Sequence, residues 1–332
     1  MSSSQLRLEQ FLASRGQNND VQALSADAST REYYRVAWDG KSAIACVYPE
    51  PFDPANQTFL DVTRLFLASG LPVADVMDFD GSLGIIVQED LGDEILRDKL
   101  AAADKVKQGE LIDEAISLIA RIQAATANAF RMGSIASKLK FDREKLLWEL
   151  DYFKEHYFTT MLKRPLSGVE DAEIDKEFKE LSTDLESRAV VLTHRDFHSA
   201  NLMIDRYGRM RIIDHQDARI GSVTYDLVSL LLDRVTELPP NERLKEKQAY
   251  FLSARSNLGL PGIDPDEFAD EFRLQTIQRC LKAAGTFSYQ STVRGKTHFV
   301  PFIKPMLALS LNAIGEWDLF PVLRQRLEAE LT

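Results

Sequence analysis

The sequence predicts an α+β fold with two lobes, a smaller β-rich lobe followed by a larger lobe that is mainly helical. Between residues 21 and 88, short strand-like runs alternate with turns, whereas apolar residues beyond residue 94 follow helical spacing. A chain of 332 residues is also too long for one compact core. We therefore expect an N-terminal lobe at 1–88, a hinge at 89–93 and a C-terminal lobe at 94–332.

Turn and cap signals predict the elements of the smaller lobe. The β-rich run that ends at Trp38 is followed by Asp39-Gly40, a strong signal for a tight hairpin, and then by a second strand-like run. A helical pattern ends at Gly70, a residue that suits the left-handed position after a helix. The predicted elements are a helix at 5–14, strands at 33–38 and 42–48, a helix at 56–69, and strands at 73–79 and 83–87.

The larger lobe is predicted to consist mostly of long helices. Their apolar residues recur at spacings of three and four, and the breaks between them fall at Pro-Pro and Pro-Gly pairs. The predicted elements are helices at 104–125, 142–161 and 174–187, a strand at 190–193, a hairpin at 202–205 and 210–214, and a helical remainder from 225. The hairpin would thus be embedded in the helical lobe.

The composition limits the partners that the protein can have. Apolar residues make up 45% of the chain and charged residues 27%, as in an ordinary globular protein. A net charge of −11 with no basic block argues against nucleic acid or an anionic membrane as a partner. No run reaches the ~20 apolar residues of a membrane span, no signal-peptide pattern is present, and Cys46 and Cys280 suit buried free thiols. We expect a cytoplasmic protein of undetermined oligomeric state.

A loop and a hairpin near the middle of the chain carry the chemistry. The loop after the strand at 190–193 contains Asp196 and Asn201, and the hairpin that follows ends at Asp214. Phosphoryl transfer needs a group that orients the acceptor hydroxyl and accepts its proton, and a divalent metal that neutralises the polyphosphate. We assign the first role to Asp196, and Mg²⁺ binding to the oxygen atoms of Asn201 and Asp214.

Two other interpretations of these residues are open at this point. Asp and Asn are both common in turns, so each could serve only as a local cap. His194, Asp196 and His198 alternate along the chain, and alternating ligands can meet one metal in a hydrolase. That second interpretation leaves Asn201 and Asp214 without roles.

The motif HRDFHSANLMI at 194–204, followed by IIDHQDA at 212–218, resembles the catalytic and metal-binding motifs of the aminoglycoside phosphotransferase family. Segments at 25–35, 224–231 and 277–287 are similar to the branch of anomeric kinases that act on N-acetylmuramate and N-acetylglucosamine. The resemblance implies a protein-kinase-like fold and an ATP- and Mg²⁺-dependent kinase that phosphorylates a hydroxyl of a small molecule. Kinases of choline, homoserine or an aminoglycoside antibiotic are the alternatives within the same chemistry.

The resemblance also implies roles for residues around the motif. His198 would brace the catalytic loop, and Asp226 would accept backbone hydrogen bonds beneath it. A loop over the phosphates and the backbone of the hinge would bind the nucleotide. The residues expected there are Ala28, Ser29, Thr30, Glu89 and Leu91.

One departure from kinase-like folds concerns the phosphates. The segment 43–48, where many such folds place a lysine that holds the phosphates, contains none. Arg31, Arg35 or Lys41 could replace it. A degenerate, nucleotide-binding pseudokinase is the alternative that this departure leaves open.

The acceptor is expected to bind to the helical lobe. Glu149 and Phe153 lie four residues apart, so they share a helix face together with Tyr152 and His156. Such a face can stack on a sugar and bind its hydroxyls, although it is more often simply the packing face of an amphipathic helix. Arg279 is the third expected acceptor residue.

Overall fold

A computed structural model of the protein describes residues 3–24, 30–315 and 319–332. The strands are β1 (Val21–Leu24), β2 (Glu32–Trp38), β3 (Lys41–Val47), β4 (Val76–Asp80), β5 (Ile85–Glu89), β6 (Val191–Thr193), β7 (Leu202–Ile204), β8 (Met210–Ile212) and β9 (Arg219–Gly221). The helices are α1 (Ser3–Ser14), α2 (Thr58–Ala68), α3 (Leu96–Ala102), α4 (Lys105–Ala124), α5 (Thr126–Met132), α6 (Ile135–Lys138), α7 (Arg143–Phe153), α8 (Gly168–Ser187), α9 (Tyr225–Leu232), α10 (Asn241–Asn257), α11 (Pro265–Thr292), α12 (Val300–Ile314) and α13 (Pro321–Leu331).

The chain forms two compact units, each assembled from segments that are not contiguous in sequence. The first unit comprises Met1–Gln108, Asn128–Ile135 and Ser199–Asp217, and the second comprises Gly109–Ala127, Ala136–His198 and Ala218–Thr332. The division into lobes at 1–88, 89–93 and 94–332 stays a prediction.

The first unit is built on a five-stranded antiparallel sheet with the strand order β1-β2-β3-β5-β4. Alternate residues of β2 point to one face, where Trp38 is buried and stacks on Phe11 of α1 with ring centroids 5.7 Å apart. On the other face, Phe59 and Leu60 of α2 pack against Ile86 of β5. Burial on both faces explains why the central strands are almost continuously apolar.

The predicted hairpin turn at Asp39-Gly40 is confirmed. Asp39 has φ 47° and Gly40 has φ 74°, so both residues lie in the left-handed region that a tight two-residue turn requires. The turn joins β2 to β3 in a register that pairs Trp38 with Lys41 and Glu32 with Val47.

The hairpin of β7 and β8 belongs to the first unit, although its position in the sequence suggested the helical lobe. The Ile212 N–H donates to Pro72 O at 2.9 Å, and the Ile204 N–H donates to Glu94 O at 2.8 Å. These long-range backbone bonds join the hairpin to segments that flank the five-stranded sheet. The part of the loop after β6 that ends at His198 lies in the second unit, and the part from Ser199 lies with the hairpin in the first unit.

The second unit is mainly helical, and α11 runs along α7 at close range. A Cβ atom on Gly285 of α11 would lie 2.7 Å from Phe153 Cα, so only glycine permits this approach. The π-helix Lys154–Met161 continues α7, which accounts for the single predicted helix at 142–161. The short strand β9, which the sequence did not reveal, pairs with β6 and places Leu192 opposite Ile220.

Two further expectations concern the chain as a whole. Cys46 and Cys280 are free and buried, as predicted. Across the three described segments, no helix combines the length and the apolar composition that crossing a bilayer requires.

Candidate active site

The loop after β6 is held from beneath by a buried carboxylate of the second unit. Asp226, at the start of α9, accepts hydrogen bonds from the N–H groups of His194 at 2.7 Å and Arg195 at 3.0 Å. These are the contacts that the resemblance implied for Asp226. Arg195 has φ 84°, a conformation that costs energy for a residue with a side chain and that is found at functional sites. Burial raises the pKa of Asp226 to about 6.

Asp196 follows Arg195 and lies among three cations. Arg279 Nη2 and Lys282 Nζ of α11 are each 3.4 Å from Asp196 Oδ1, and Arg195 Nε is 3.9 Å from Oδ2. Burial alone would raise the pKa of Asp196, but Lys282, Arg279 and Arg195 outweigh it and hold the pKa well below its usual value. Asp196 is therefore ionised at neutral pH and can accept a hydrogen bond.

Arg279 is fixed in place beside Asp196. Its side chain is buried, Nη2 donates to Ser229 Oγ at 2.9 Å, and the guanidinium lies 5.7 Å from the centre of the Tyr225 ring. Burial lowers the pKa of Lys282, one turn further along α11. Arg279 and Lys282 therefore place two basic groups next to the candidate catalytic carboxylate.

His198 lies in the same loop as Asp196, and its bracing role stays a prediction. Its backbone N–H donates to Asp196 O at 3.1 Å, which tightens the loop around Asp196. Burial lowers the pKa of His198, which favours the neutral form of the ring. The intervening Phe197 is completely buried and makes an edge contact with the His194 ring.

Two of the three predicted acceptor residues have other roles in the structure. Glu149 and Phe153 are both 0% exposed. Glu149 Oε2 accepts a hydrogen bond from Gln278 Nε2 at 2.9 Å, and the Phe153 ring stacks on Tyr157. The structure gives Phe153 a packing role at the α7–α11 contact in place of the predicted stacking role.

Other aromatic residues on this part of α7 and its π-helical extension are only partly buried and form a separate cluster. The rings of Tyr152 and His156 lie 4.1 Å apart, and Tyr289 of α11 lies 4.9 Å from His156. Trp148, which is 54% exposed, extends the group beside Tyr152. Helical spacing identified this region but could not tell which of its aromatics face solvent.

The candidate metal ligands lie in the first unit, at the open end of the β7–β8 hairpin. Leu202 pairs with Ile212, and the Ile213 N–H donates to Asn201 O at 3.1 Å. The hairpin therefore brings Asn201 next to the chain segment that carries Asp214, whose side chain is 41% exposed. A carboxylate and an amide oxygen suit Mg²⁺, which takes few protein ligands and completes its shell with water and phosphate oxygens.

The residue after Asp214 anchors this segment to α2. His215 is buried, and its Nε2 lies 2.7 Å from Thr63 Oγ1. Its ring packs against Phe59 and Phe66, with centroids 5.0 and 5.2 Å away. No role for His215 could be predicted from the sequence, because contacts with a helix far away in sequence leave no local signal.

The structure describes only some of the residues that were predicted to bind the nucleotide. Ala28 and Ser29 lie outside the described residues, and Thr30 is exposed just before β2. The Glu89 N–H already donates to Asp75 O at 2.8 Å, and its carboxylate binds Arg211 of β8, with Nη1 3.0 Å from Oε1. Glu89 thus joins β5 to the hairpin, which the sequence did not predict. Leu91 is buried.

Residues 20–262 match the Phosphotransferase enzyme family. The chain belongs to that family. The match covers well over half of the chain and contains both the Asp196 loop and the hairpin that ends at Asp214. The protein is therefore a phosphotransferase of the small-molecule kinase type, as the two motifs predicted.

Among curated proteins, the chain is similar to kinases of one name. It is 32% identical over 290 residues to an N-acetylmuramate/N-acetylglucosamine kinase of Neisseria meningitidis serogroup B, covering 87% of this chain and 84% of that one. A protein of the same name from Pseudomonas aeruginosa is 27% identical over 280 residues, with 83% and 78% covered.

Solved structures show the fold that the family shares. A choline kinase of Streptococcus pneumoniae superposes with a TM-score of 0.57 at 14% identity, covering 91% of this chain and 99% of that chain. A thermostable mutant of an aminoglycoside phosphotransferase, in complex with AMP-PNP and hygromycin B, gives a TM-score of 0.60 at 19% identity, with 93% and 99% covered. The predicted protein-kinase-like α+β fold is confirmed.

Proposed function

We propose that the protein transfers the γ-phosphoryl group of ATP, with Mg²⁺, to a hydroxyl of an amino sugar of the N-acetylmuramate or N-acetylglucosamine type. The similarity to kinases of these sugars, 32% identity over 87% of the chain, supports the choice of acceptor. Structures of the same fold in complex with AMP-PNP or ADP support an adenine nucleotide as donor. With ATP as donor, the cytoplasm is the compartment in which we propose that it acts.

The observation that carries this proposal is the set of cations around Asp196. Arg279 and Lys282 lie 3.4 Å from the carboxylate, with Arg195 on its other oxygen. A polycationic aminoglycoside would have to bring ammonium groups close to these side chains, where like charges repel. A neutral amino sugar avoids that cost, and the lactyl carboxylate of N-acetylmuramate could pair with Lys282.

The proposed chemistry follows from the ionisation of Asp196. The acceptor oxygen attacks the γ-phosphorus, the bond between that phosphorus and the bridging oxygen breaks, and ADP leaves with that oxygen. Asp196 accepts a hydrogen bond from the acceptor hydroxyl and so orients the hydroxyl oxygen towards the γ-phosphorus. Because the pKa of Asp196 is low, the carboxylate takes the hydroxyl proton late in the reaction and then passes it to solvent. Mg²⁺ held by Asn201 and Asp214 would neutralise charge on the phosphates.

A comparison of acceptors tests the substrate assignment. The ratio kcat/KM is measured for N-acetylmuramate, N-acetylglucosamine, kanamycin and choline under identical MgATP concentrations. We expect both amino sugars to exceed the two cationic acceptors. A clear preference for kanamycin or choline would contradict the acceptor assignment, while the family would stand.

A further inference from the structure

The structure distinguishes among the three cations that could replace the missing lysine of the first unit. Arg35 is engaged by two carboxylates, with Nε 2.7 Å from Asp90 Oδ2 and Nη2 2.7 Å from Asp93 Oδ1. Lys41 is exposed at the start of β3, beside the Asp39-Gly40 turn. Among the described residues, neither Arg35 nor Lys41 forms an ion pair with Asp214.

Arg31 has a different environment. It stands immediately before β2, and its Nη2 lies 3.5 Å from Asp214 Oδ1. The guanidinium carbon is 5.8 Å from the ring centroid of Tyr33 and 5.7 Å from that of Tyr48, and only 18% of the side chain is exposed. Cation–π attraction to the two rings and a hydrogen bond with the Tyr48 hydroxyl hold the guanidinium in place.

The distance between Arg31 and Asp214 is informative. Ion pairs with strong hydrogen bonds have N–O distances of about 2.7–2.9 Å. At 3.5 Å, the contact is looser than the bonds that hold Arg35, so Asp214 retains oxygen lone pairs for a metal. A cation beside a metal-binding carboxylate is in the neighbourhood of the phosphates that such a metal bridges.

We infer that Arg31 binds the phosphates of the nucleotide and thereby replaces the lysine that the interior of β3 lacks; this inference rests on the proposed use of ATP. Its planar fork can donate two parallel hydrogen bonds to phosphate oxygens, which a lysine cannot do. Tyr33 and Tyr48 preorganise the guanidinium, and Asp214 neutralises it until nucleotide and metal are present.

The experiment compares nucleotide affinity as phosphates are removed. Isothermal calorimetry gives Kd for ATP, ADP and adenosine, each with Mg²⁺ and with EDTA, for the parent, Arg31→Gln, Arg31→Lys and the exposed control Lys41→Gln. For Arg31→Gln we expect ATP and ADP to bind about tenfold or more weakly in both buffers, because a charge-assisted pair is lost. Adenosine should bind within about twofold of the parent, and Lys41→Gln should resemble the parent throughout.

The EDTA series separates phosphate binding from a role in supporting Asp214. If Arg31 only held Asp214, Arg31→Gln would weaken ATP binding with Mg²⁺ and leave it unchanged in EDTA, which would overturn the inference. An equal loss for adenosine would overturn it as well. A parent that binds no adenine nucleotide contradicts the proposed function itself, whereas equal ATP binding by the parent and Arg31→Gln contradicts the role of Arg31 alone.

Arg31→Lys keeps the charge and removes the fork, so we expect its ATP affinity to lie between those of the parent and Arg31→Gln. Thermal unfolding verifies that each variant is folded. If Arg31→Gln does not fold, the nucleotide affinities of Arg31→Lys test the inference. An unchanged ratio of ATP affinity to adenosine affinity in that variant would contradict the inference.

Discussion

Two aspartates with similar sequence signals, Asp196 in the second unit and Asp214 in the first, have opposite environments. Asp196 has Arg279 and Lys282 at 3.4 Å, and they come from a helix more than eighty residues away in sequence. Asp214 is 41% exposed, has Arg31 at 3.5 Å, and accepts a hydrogen bond from Gln216 at 2.8 Å. The comparison indicates that cations fix one carboxylate as an anion, while the other keeps room for a metal.

The largest expected effect is the loss of kcat when Asp196 is replaced. Asp196→Asn should lower kcat by about 10²–10⁴-fold, because an amide cannot accept the hydroxyl proton. MgATP affinity should change little, because the proposed role of Asp196 concerns the acceptor. Steady-state kinetics and calorimetry measure the two quantities. A variant that keeps activity within about threefold of the parent would remove Asp196 from the mechanism.

For the candidate metal ligands we expect the main loss in MgATP affinity. Asp214→Ala should abolish the gain in ATP affinity that Mg²⁺ provides, and Asn201→Ala should reduce it less, because a carboxylate contributes charge and an amide oxygen does not. Calorimetry of ATP with Mg²⁺ and with EDTA measures the gain for each variant. If both variants bind MgATP as the parent does, these residues do not hold the metal.

A smaller effect, visible in the pH profile, is expected from the cations around Asp196. Removing one of them with Lys282→Met should raise the pKa of Asp196 towards its ordinary value. The part of the acid limb of kcat/KM that Asp196 controls should therefore move to higher pH. Lys176→Met, at an exposed position of α8, is the matched control and should leave the profile unchanged. If the acid limb of Lys282→Met coincides with that of the parent, Lys282 does not affect the pKa of Asp196.

The smallest expected effect is on the free energy of unfolding and does not involve the catalytic residues. Gly285→Val should destabilise the second unit by about 1–3 kcal/mol, because its Cβ would meet the backbone of Phe153 at 2.7 Å. Gly262→Val is the control, since no atom lies within 4 Å of a Cβ at that position. Urea denaturation gives both free energies of unfolding. Equal midpoints for the two variants would show that α7 and α11 are not in close contact at Gly285.

Local signals in the sequence predicted most elements of the fold, and long-range contacts account for what they missed. The Asp39-Gly40 turn depends on two adjacent residues, so it could be predicted with its register. The burial of Phe153 depends on Gly285, on another helix, and periodicity shows which residues share a face without showing what covers it. The same holds for the pair between Glu89 and Arg211, which join only when the hairpin packs beside β5.

The motif residues of the candidate site could be predicted from the sequence, whereas the side chains that surround them could not. Asp196, Asn201 and Asp214 stand in an order that one reaction explains, and the family match supports that reaction. Apart from Arg195, the cations beside the two carboxylates come from elsewhere in the chain. Among Arg31, Arg35 and Lys41, the sequence offered no reason to choose, whereas the distance from Arg31 to Asp214 does.

Direct detection of the phosphorylated product tests the central claim that Asp196 directs the hydroxyl of an amino sugar to the γ-phosphorus of ATP. Phosphorus NMR follows MgATP with N-acetylmuramate, or with N-acetylglucosamine, in the presence of the parent or of Asp196→Asn. We predict that a sugar phosphate appears together with ADP in the parent reaction and is absent with the variant. ADP formed only with inorganic phosphate, or a sugar phosphate formed equally well by Asp196→Asn, would contradict the account.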